Sequence, residues 1–282
     1  MSLSPSSSAQ AARAAVARRL RDMRKGAGLT VVELADRCGW HHAKTSRIEN
    51  ARTAPSARDI DAWCRACGHQ EDVPDVIAQS LNAESAYTEW RHQVRNGLKA
   101  LQENWVQFFR DTGTFKVYSS TLIPGLLQTQ GYAAALLSGI ADFRGVPDDG
   151  EEAAAARAER SRVIYERGHR FVLLVEEGVL RHQIGDSSAM AAQLGHLLTA
   201  GALPAVALGV VPASTPARRI RPVETFHIYD DRLVSVELVS AQVNITQPSE
   251  VALYLKAFDQ LRRLAVYGDD ARALILAALQ AL

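Results

Sequence analysis

Two short stretches of the chain carry residue types able to do chemistry. In GWHHAKTSRIENAR (residues 39–52), His41 and His42 follow Cys38, and thiolate with imidazole is a ligand set for zinc or a similar metal. The same stretch holds Ala43, Lys44, Ser46 and Arg47 within two helical turns. Short polar and cationic side chains on one helix are the types that meet base edges and phosphates. Further on, Cys64-Arg-Ala-Cys67-Gly-His69 has the spacing of half a zinc site. Structural zinc needs about four converging ligands, however. On a helix Cys64 and Cys67 share a face with Ile60 and Trp63, where a free cysteine behaves as a small buried hydrophobe. His41 and His42 fall away from that face, so we expect no metal site and no cofactor. A third set, Glu176, Glu177 and His182, is the nearest approach to an acid–base pair. With Arg181 beside it, it reads as an ion-pair network. No glycine-rich phosphate loop, serine nucleophile elbow or His/Glu metal pair is present, and no enzymatic activity is expected.

The elements that position these residues are legible from periodicity. From Ala9, the positions Ala12, Val16, Leu20 and Met23 recur at helical steps, with arginines on the other faces, until Gly26 and Gly28 stop the helix. Thr30-Val31-Val32-Glu33 has the form of a capping box. A helix over 31–37 follows, with Val32, Leu34 and Ala35 available for packing, and Gly39 ends it. A second short helix is predicted over 42–49, with Thr45 and Ile48 pointing inward. Two short helices joined at a glycine match a helix-turn-helix. Ser56 caps the next helix, with Asp59 in its first turn. Pro74 starts another, and residues 84–110 keep the 3.6 period through Trp90, Val94, Leu98, Leu101, Trp105 and Phe108, predicting one long spacer helix.

Beyond residue 110 the period changes. Strands are predicted at 115–119, 171–177, 205–211, 224–229 and 233–239, the last two joined at Asp230-Asp231 as a hairpin. Helices are predicted at 130–137 with Thr129 as cap, 151–167, 187–200, 248–265 and 269–281. Pro124-Gly125 in LIPGLLQT makes a strand-turn-helix joint whose leucines pack.

Length and charge agree with two domains. At about 150 residues per domain, 282 residues predict two. Residues 1–70 carry 12 lysines and arginines against 6 acids, a net +6, and the remainder carries 20 against 25, a net −5. A basic head on an acidic body lets one part dwell on a polyanion while the other stays off it. No apolar run reaches the roughly 18 residues of a membrane span. MSLSPSSSAQ lacks the basic start and apolar run of a signal peptide, so a cytoplasmic location is expected. Three cysteines, an odd number, argue for free thiols.

The run GLTVVELADRCGWHHAKTSRIENARTAPS resembles the helix-turn-helix of the XRE (phage-repressor and Cro-like) regulators. The resemblance rests on Gly28-Leu29-Thr30, Glu33-Leu34-Ala35, Gly39, Ser46-Arg47-Ile48-Glu49-Asn50 and Pro55-Ser56, and covers about residues 12–70. It implies that the helix over 42–49 enters the major groove of double-stranded DNA. His42, Ala43, Lys44, Ser46 and Arg47 would face the bases, and Thr30, Val31, His41, Asn50 and Arg52 the backbone. Arg47 could read guanine bidentately, Lys44 guanine or a phosphate, and the Ala43 methyl a thymine methyl. The alternative for Arg47 and Lys44 is a solvated helix face. Val31 stands where the family commonly has Gln, so only its amide would reach phosphate. His41 replaces the usual Ser/Thr cap.

From about Glu84 onward, LIPGLLQTQGYAAALL, VEEGVLRHQIGDSSAMAAQLGHLL, LPAVALGVVP, VSVELV and VALYLKAFDQL resemble the domain that follows a helix-turn-helix in the WhiJ-like regulators of actinobacteria. That implies a transcription regulator, antitoxin-like in some members, whose gene neighbours one for a small partner protein. The expected fold is multidomain, α followed by α+β. A disordered tail (1–8) precedes a repressor-like all-α helix-turn-helix domain (9–72). A helical linker (73–110) leads to a mixed α/β regulatory and assembly domain (111–282), in a homodimer without membrane attachment. Effector binding in the α/β half is a further reading.

Overall fold

The computed structural model describes residues 5–82, 87–89, 94, 97–216 and 218–282. The chain divides into two units: Met1–Tyr87 with Asn244–Ala252, and Thr88–Val243 with Leu253–Leu282. The fold is multidomain, helical at the N-terminus and α+β after it.

The N-terminal unit opens with α1 (Pro5–Gly26). Residues 5–8, expected in a disordered tail, are helical: proline is tolerated at the first helical position, where its missing N–H has no partner to lose. The next helices are α2 (Val31–Cys38), α3 (His42–Glu49), α4 (Ala57–Ala66) and α5 (Val73–Asn82). Their apolar stripes meet in one core of Val16, Leu20, Leu34, Ile48, Ile60, Trp63 and Cys64. Trp63, fully buried, donates its indole N–H to the Leu20 carbonyl at 3.0 Å, so its polar edge is satisfied inside the core. Val76 of α5 is buried in the same core. Residues 73–82 therefore complete the helical head and are not a linker. Val32, expected to pack, is 53% exposed, because Leu34 and Ala35 take the inner face of α2.

The long helix expected over 84–110 falls partly on residues 83–86, 90–93, 95 and 96, which lie outside the described residues. Elsewhere it is replaced by a short strand β1 (Tyr87–Glu89) and two helices, α6 (Gly97–Asn104) and α7 (Val106–Asp111). The break at Trp105 has a packing cause. Leu98 joins Ala133, Leu137 and Ala153 in one cluster, while Phe109 joins Phe115 and Tyr229 in another. A straight helix cannot serve both directions. Gly97 precedes the break at φ 89°, and Asp149 accepts the Leu98 and Lys99 amides at 3.1 and 2.9 Å, capping α6 from afar.

Strand β2 (Thr114–Ser119) leads through a single 3-10 turn, Gly125–Leu127, to α8 (Gln130–Arg144). That helix runs two turns past the predicted end, until Gly145 closes it in the left-handed conformation. Then come α9 (Gly150–Ser161), β3 (Arg170–Glu176), α10 (Ser187–Ala200) and β4 (Val206–Val211). The chain continues through β5 (Phe226–Tyr229), β6 (Leu233–Glu237) and β7 (Ala241–Ile245) to α11 (Pro248–Arg262) and α12 (Gly268–Gln280). The sheet order is β1-β7-β6-β5-β2-β3-β4. Strands β2, β3 and β4 are parallel, with Phe115 opposite Phe171 and Leu173 opposite Leu208. Strand β5 runs antiparallel to both β2 and β6, and Asp230 and Asp231 at φ 51° and 57° make the predicted hairpin turn. Strand β7 was not predicted. Its sequence AQVNI carries polar residues, and Gln242 is buried by donating to the Ser235 hydroxyl at 2.7 Å.

The LIPGLLQT segment is a packing joint, as read. Leu126 and Leu127 are buried, Gln128 donates to the Ile123 carbonyl at 2.7 Å, and Gln193 ties α10 to the Leu127 carbonyl and the Thr129 amide, both at 2.7 Å. Glu176 also lies in a network, but its partner is Arg218, at 2.5 and 2.8 Å, with the Tyr118 hydroxyl donating at 2.5 Å. Arg181 pairs instead with Glu177 at 3.8 Å, and His182 faces the Thr121 carbonyl at 3.2 Å.

Candidate nucleic-acid interface

The geometry around α3 starts from its caps. Thr30 accepts the Glu33 amide at 3.2 Å and Glu33 accepts the Thr30 amide at 2.7 Å, so α2 begins with a complete capping box. These bonds hold the Glu33 carboxyl below the usual range, the Thr30 amide contributing most. At the other end Gly39, φ 70°, turns the chain left-handed, and the Trp40 amide reaches back to the Ala35 carbonyl at 3.0 Å. A β-carbon would strain this position, and the turn sets the angle at which α3 leaves α2.

His41 caps α3. Its Nδ1 accepts the Ala43 amide at 3.3 Å, and its ring lies against His42 with centroids 4.2 Å apart. With Nδ1 taken up by the cap, Nε2 is the ring nitrogen left for another partner. The inner face of α3 consists of Thr45, Ile48 and Glu49, all buried. Thr45 accepts the Trp40 indole N–H at 2.9 Å, and Glu49 receives Arg24 Nε and Nη2 at 2.5 and 3.1 Å. Arg24 and Glu49 are 8% and 7% exposed, and the bond to Glu49 raises the arginine's affinity for its proton against the opposing effect of burial. Arg21 donates to the Glu49 carbonyl and, at 3.2 Å, to Asn50 Oδ1. Two arginines of α1 thus clamp the end of α3.

Past Asn50 the chain closes with Ala51 at φ 52°, an unusual conformation for a residue bearing a β-carbon. The Arg52 amide bonds the Arg47 carbonyl at 2.9 Å and the Ala51 amide the Ile48 carbonyl at 3.0 Å, a Schellman closure.

The outer face separates the ten expected contact residues. His42, Ser46 and Arg47 are exposed together on one side of α3, with half-buried Ala43 between them. Lys44 turns away from that group: its Nζ sits 2.6 Å from Asp59 and 4.6 Å from the Trp40 ring centroid. At the front of α2, Thr30 is exposed and Val31 half-buried, and the first helical amides have no partner within the helix. His41 and Arg52 are exposed at the two ends of α3. Asn50 is held by both of its side-chain groups, donating to the Ser46 carbonyl at 2.8 Å and accepting from Arg21.

Residue reasoning missed Arg21, Arg24 and Asp59 as positioning residues. The available signal was Arg24 one helical turn after Leu20, on the edge of the apolar stripe, together with an acid at 49 beside inward Ile48. Among the described residues no cluster of three or more His, Cys, Asp or Glu side chains could hold a metal. Cys64 and Cys67 are core residues whose thiols burial pushes up, that of Cys64 to about 11.

An all-α head in which two helices meet at a glycine turn, the second locked on its inner face and polar on its outer, is a helix-turn-helix domain, the hallmark of DNA-binding regulators. Residues 15–75 match a family model described as a helix-turn-helix domain. Residues 107–277, more than half of the chain, match the model described as a domain of unknown function, DUF5753, and the chain belongs to that family. No curated protein and no solved structure matches it. Among the described residues, no helix is long and apolar enough to cross a membrane.

Proposed function

We propose that the protein is a sequence-specific transcriptional regulator of the phage-repressor and Cro-like type, acting in the cytoplasm and laying α3 in the major groove of double-stranded DNA. The observation that carries this is the exposed cluster of His42, Ser46 and Arg47 around Ala43, on a helix whose opposite face is locked by the Arg24–Glu49 pair. A reading helix needs such a rigid back, because a bidentate base contact tolerates little play. Arg47 and Ser46 read bases, and the α2 amides, His41 and Arg52 meet phosphates. Lys44 reaches DNA only by leaving Asp59, and Asn50 only by leaving Arg21. The regulator works as a homodimer, since one short helix reads few base pairs. Capture of a small protein encoded by a neighbouring gene, implied by the resemblance to WhiJ-like regulators, belongs to the same reading. Arg47→Ala is expected to relax base preference at its position by about 1–3 kcal/mol. Arg52→Ala is expected to weaken binding to all sequences evenly and to lower the salt slope by about one. Titration of both variants against selected and random duplexes at several salt concentrations checks this, and equal loss of preference from the two would overturn the assignment.

A second reading, effector sensing by the C-terminal unit, is favoured by one observation: that unit encloses a cavity of about 460 Å³.

A further inference from the structure

The cavity lies wholly in the C-terminal unit, among α6, α8, α9 and the β5–β6 hairpin. Its size falls in the range of sites for small organic ligands. Much of the wall is apolar, from Leu101, Trp105, Phe109, Leu126, Leu137 and Ile140. Into this space α9 turns two arginines one helical step apart, Arg157 and Arg160. A guanidinium in apolar surroundings is costly unless an anion meets it. Arg157 meets two neutral amides, donating to Gln102 Oε1 at 3.1 Å and to Gln128 Oε1 at 2.6 Å. Arg160 lies over the Phe109 ring, 4.6 Å from its centroid, and its Nε is buried with no hydrogen-bond partner among the described residues.

Among the described residues Glu237 is the one carboxylate lining the cavity; it is exposed, and its charge favours the cationic form of both arginines without outweighing their burial. Burial, and then the like charge of Arg157, push Arg160 down to about 9. His227 on the opposite wall is held neutral-leaning by burial and supplies no counter-charge. Among the described residues neither arginine has an acid within ion-pair distance, so the two adjacent cations are offset only by the longer-range charge of Glu237. Toward solvent the lining ends in Phe143, Leu238 and Val239, which are 72%, 43% and 77% exposed, an apolar rim of the kind that admits an apolar body.

We propose that this cavity is a binding site for an amphipathic organic anion, a small molecule with an apolar body and one carboxylate held by Arg160 beside Arg157. The guanidinium of Arg160 offers its unused N–H groups to the two carboxylate oxygens, a charge-assisted pairing strongest where water is excluded. The body lies along Trp105, Phe109 and the leucines of α6 and α8. This deepens the effector-sensing reading and rests on it.

The test is calorimetric titration of the full chain, without DNA, with 4-phenylbutyrate and with decanoate, against 4-phenylbutan-1-ol and 4-phenylbutylamine as neutral and cationic counterparts. Each acid is expected to bind about tenfold or more tighter than the alcohol, the scale of one charge-assisted hydrogen bond, and the amine weakest of all. Arg160→Gln should bring 4-phenylbutyrate down to the alcohol's affinity and leave the alcohol unchanged. Equal binding of acid and alcohol, binding of neither acid, or an acid preference that survives Arg160→Gln overturns the proposal. Should Arg160→Gln fail to fold, the comparison of acid with alcohol on the unaltered chain decides. Because DNA is absent, failure here leaves the reading of α3 untouched.

Discussion

Arg24 and Arg160 are the same side chain in opposite circumstances. Arg24 is 8% exposed and fully met, by the Glu49 carboxylate and by the Leu29 carbonyl at 2.5 Å. Arg160 is turned into an apolar cavity with its Nε unpartnered among the described residues. Breaking a buried pair strands a charge, at a cost of about 3–5 kcal/mol, whereas replacing an uncompensated buried cation by an apolar side chain of similar volume is neutral or stabilising. Glu49→Ala is therefore expected to lower the melting temperature of the N-terminal unit strongly. Arg160→Met should leave that of the C-terminal unit unchanged or higher. Thermal melting of the two variants checks both signs at once, and a large destabilisation by Arg160→Met would mean that its stacking on Phe109 outweighs its isolation.

At the scale of the element, α2 and α4 both start with capping boxes. Thr30 with Glu33 closes the first, and Ser56 with Asp59 the second, at 3.2 and 3.1 Å. Burial of Asp59 opposes its ionisation, but the bonds from Lys44 and Ser56 outweigh it, and its carboxyl titrates below the usual range, as Glu33 does. The folded values are depressed, so the stabilisation is complete above the unfolded carboxyl range, about pH 4–4.5, and is lost as pH falls through the depressed values. The N-terminal helices should melt earlier as pH drops from about 5 to 3. Glu33→Gln with Asp59→Asn should make that dependence shallower, as followed by circular dichroism. Asp59 also holds Lys44 at 2.6 Å, so protonating or neutralising Asp59 frees that lysine, which on the proposed reading turns to phosphate.

At the scale of the whole molecule, the charge division and the small reading surface act together. A net +6 over residues 1–70 and −5 over the remainder let the head find DNA while the body avoids it. On the proposed reading a pair of heads supplies the discrimination that one short helix lacks. Light scattering of the purified chain should give twice the chain mass, and footprinting should protect two half-sites about one helical turn apart. A monomer that protects a single half-site would contradict it. As for legibility, the caps at Thr30, Ser56 and Thr129, the glycine stop at Gly39, the bounds of α3 and the Asp230-Asp231 hairpin were readable from the chain alone, because each depends on residues within four positions of one another. Three things were not. The break at Trp105 comes from two separate cores pulling one amphipathic stripe in different directions. Strand β7 hides behind polar residues whose partners lie on the neighbouring strand. Arg24 with Glu49, Lys44 with Asp59, and the two arginines of the cavity are pairings, or missing pairings, across 15 to 55 positions of chain. The sequence by itself determined the helix-turn-helix with its caps and most of the later strands and helices, though not β1, β7 or the break at Trp105, since what it determined follows from local propensity and periodicity. Only the tertiary structure decided which cations are spent inside the protein and which stay available, because a charge is satisfied or stranded by whatever folding brings beside it.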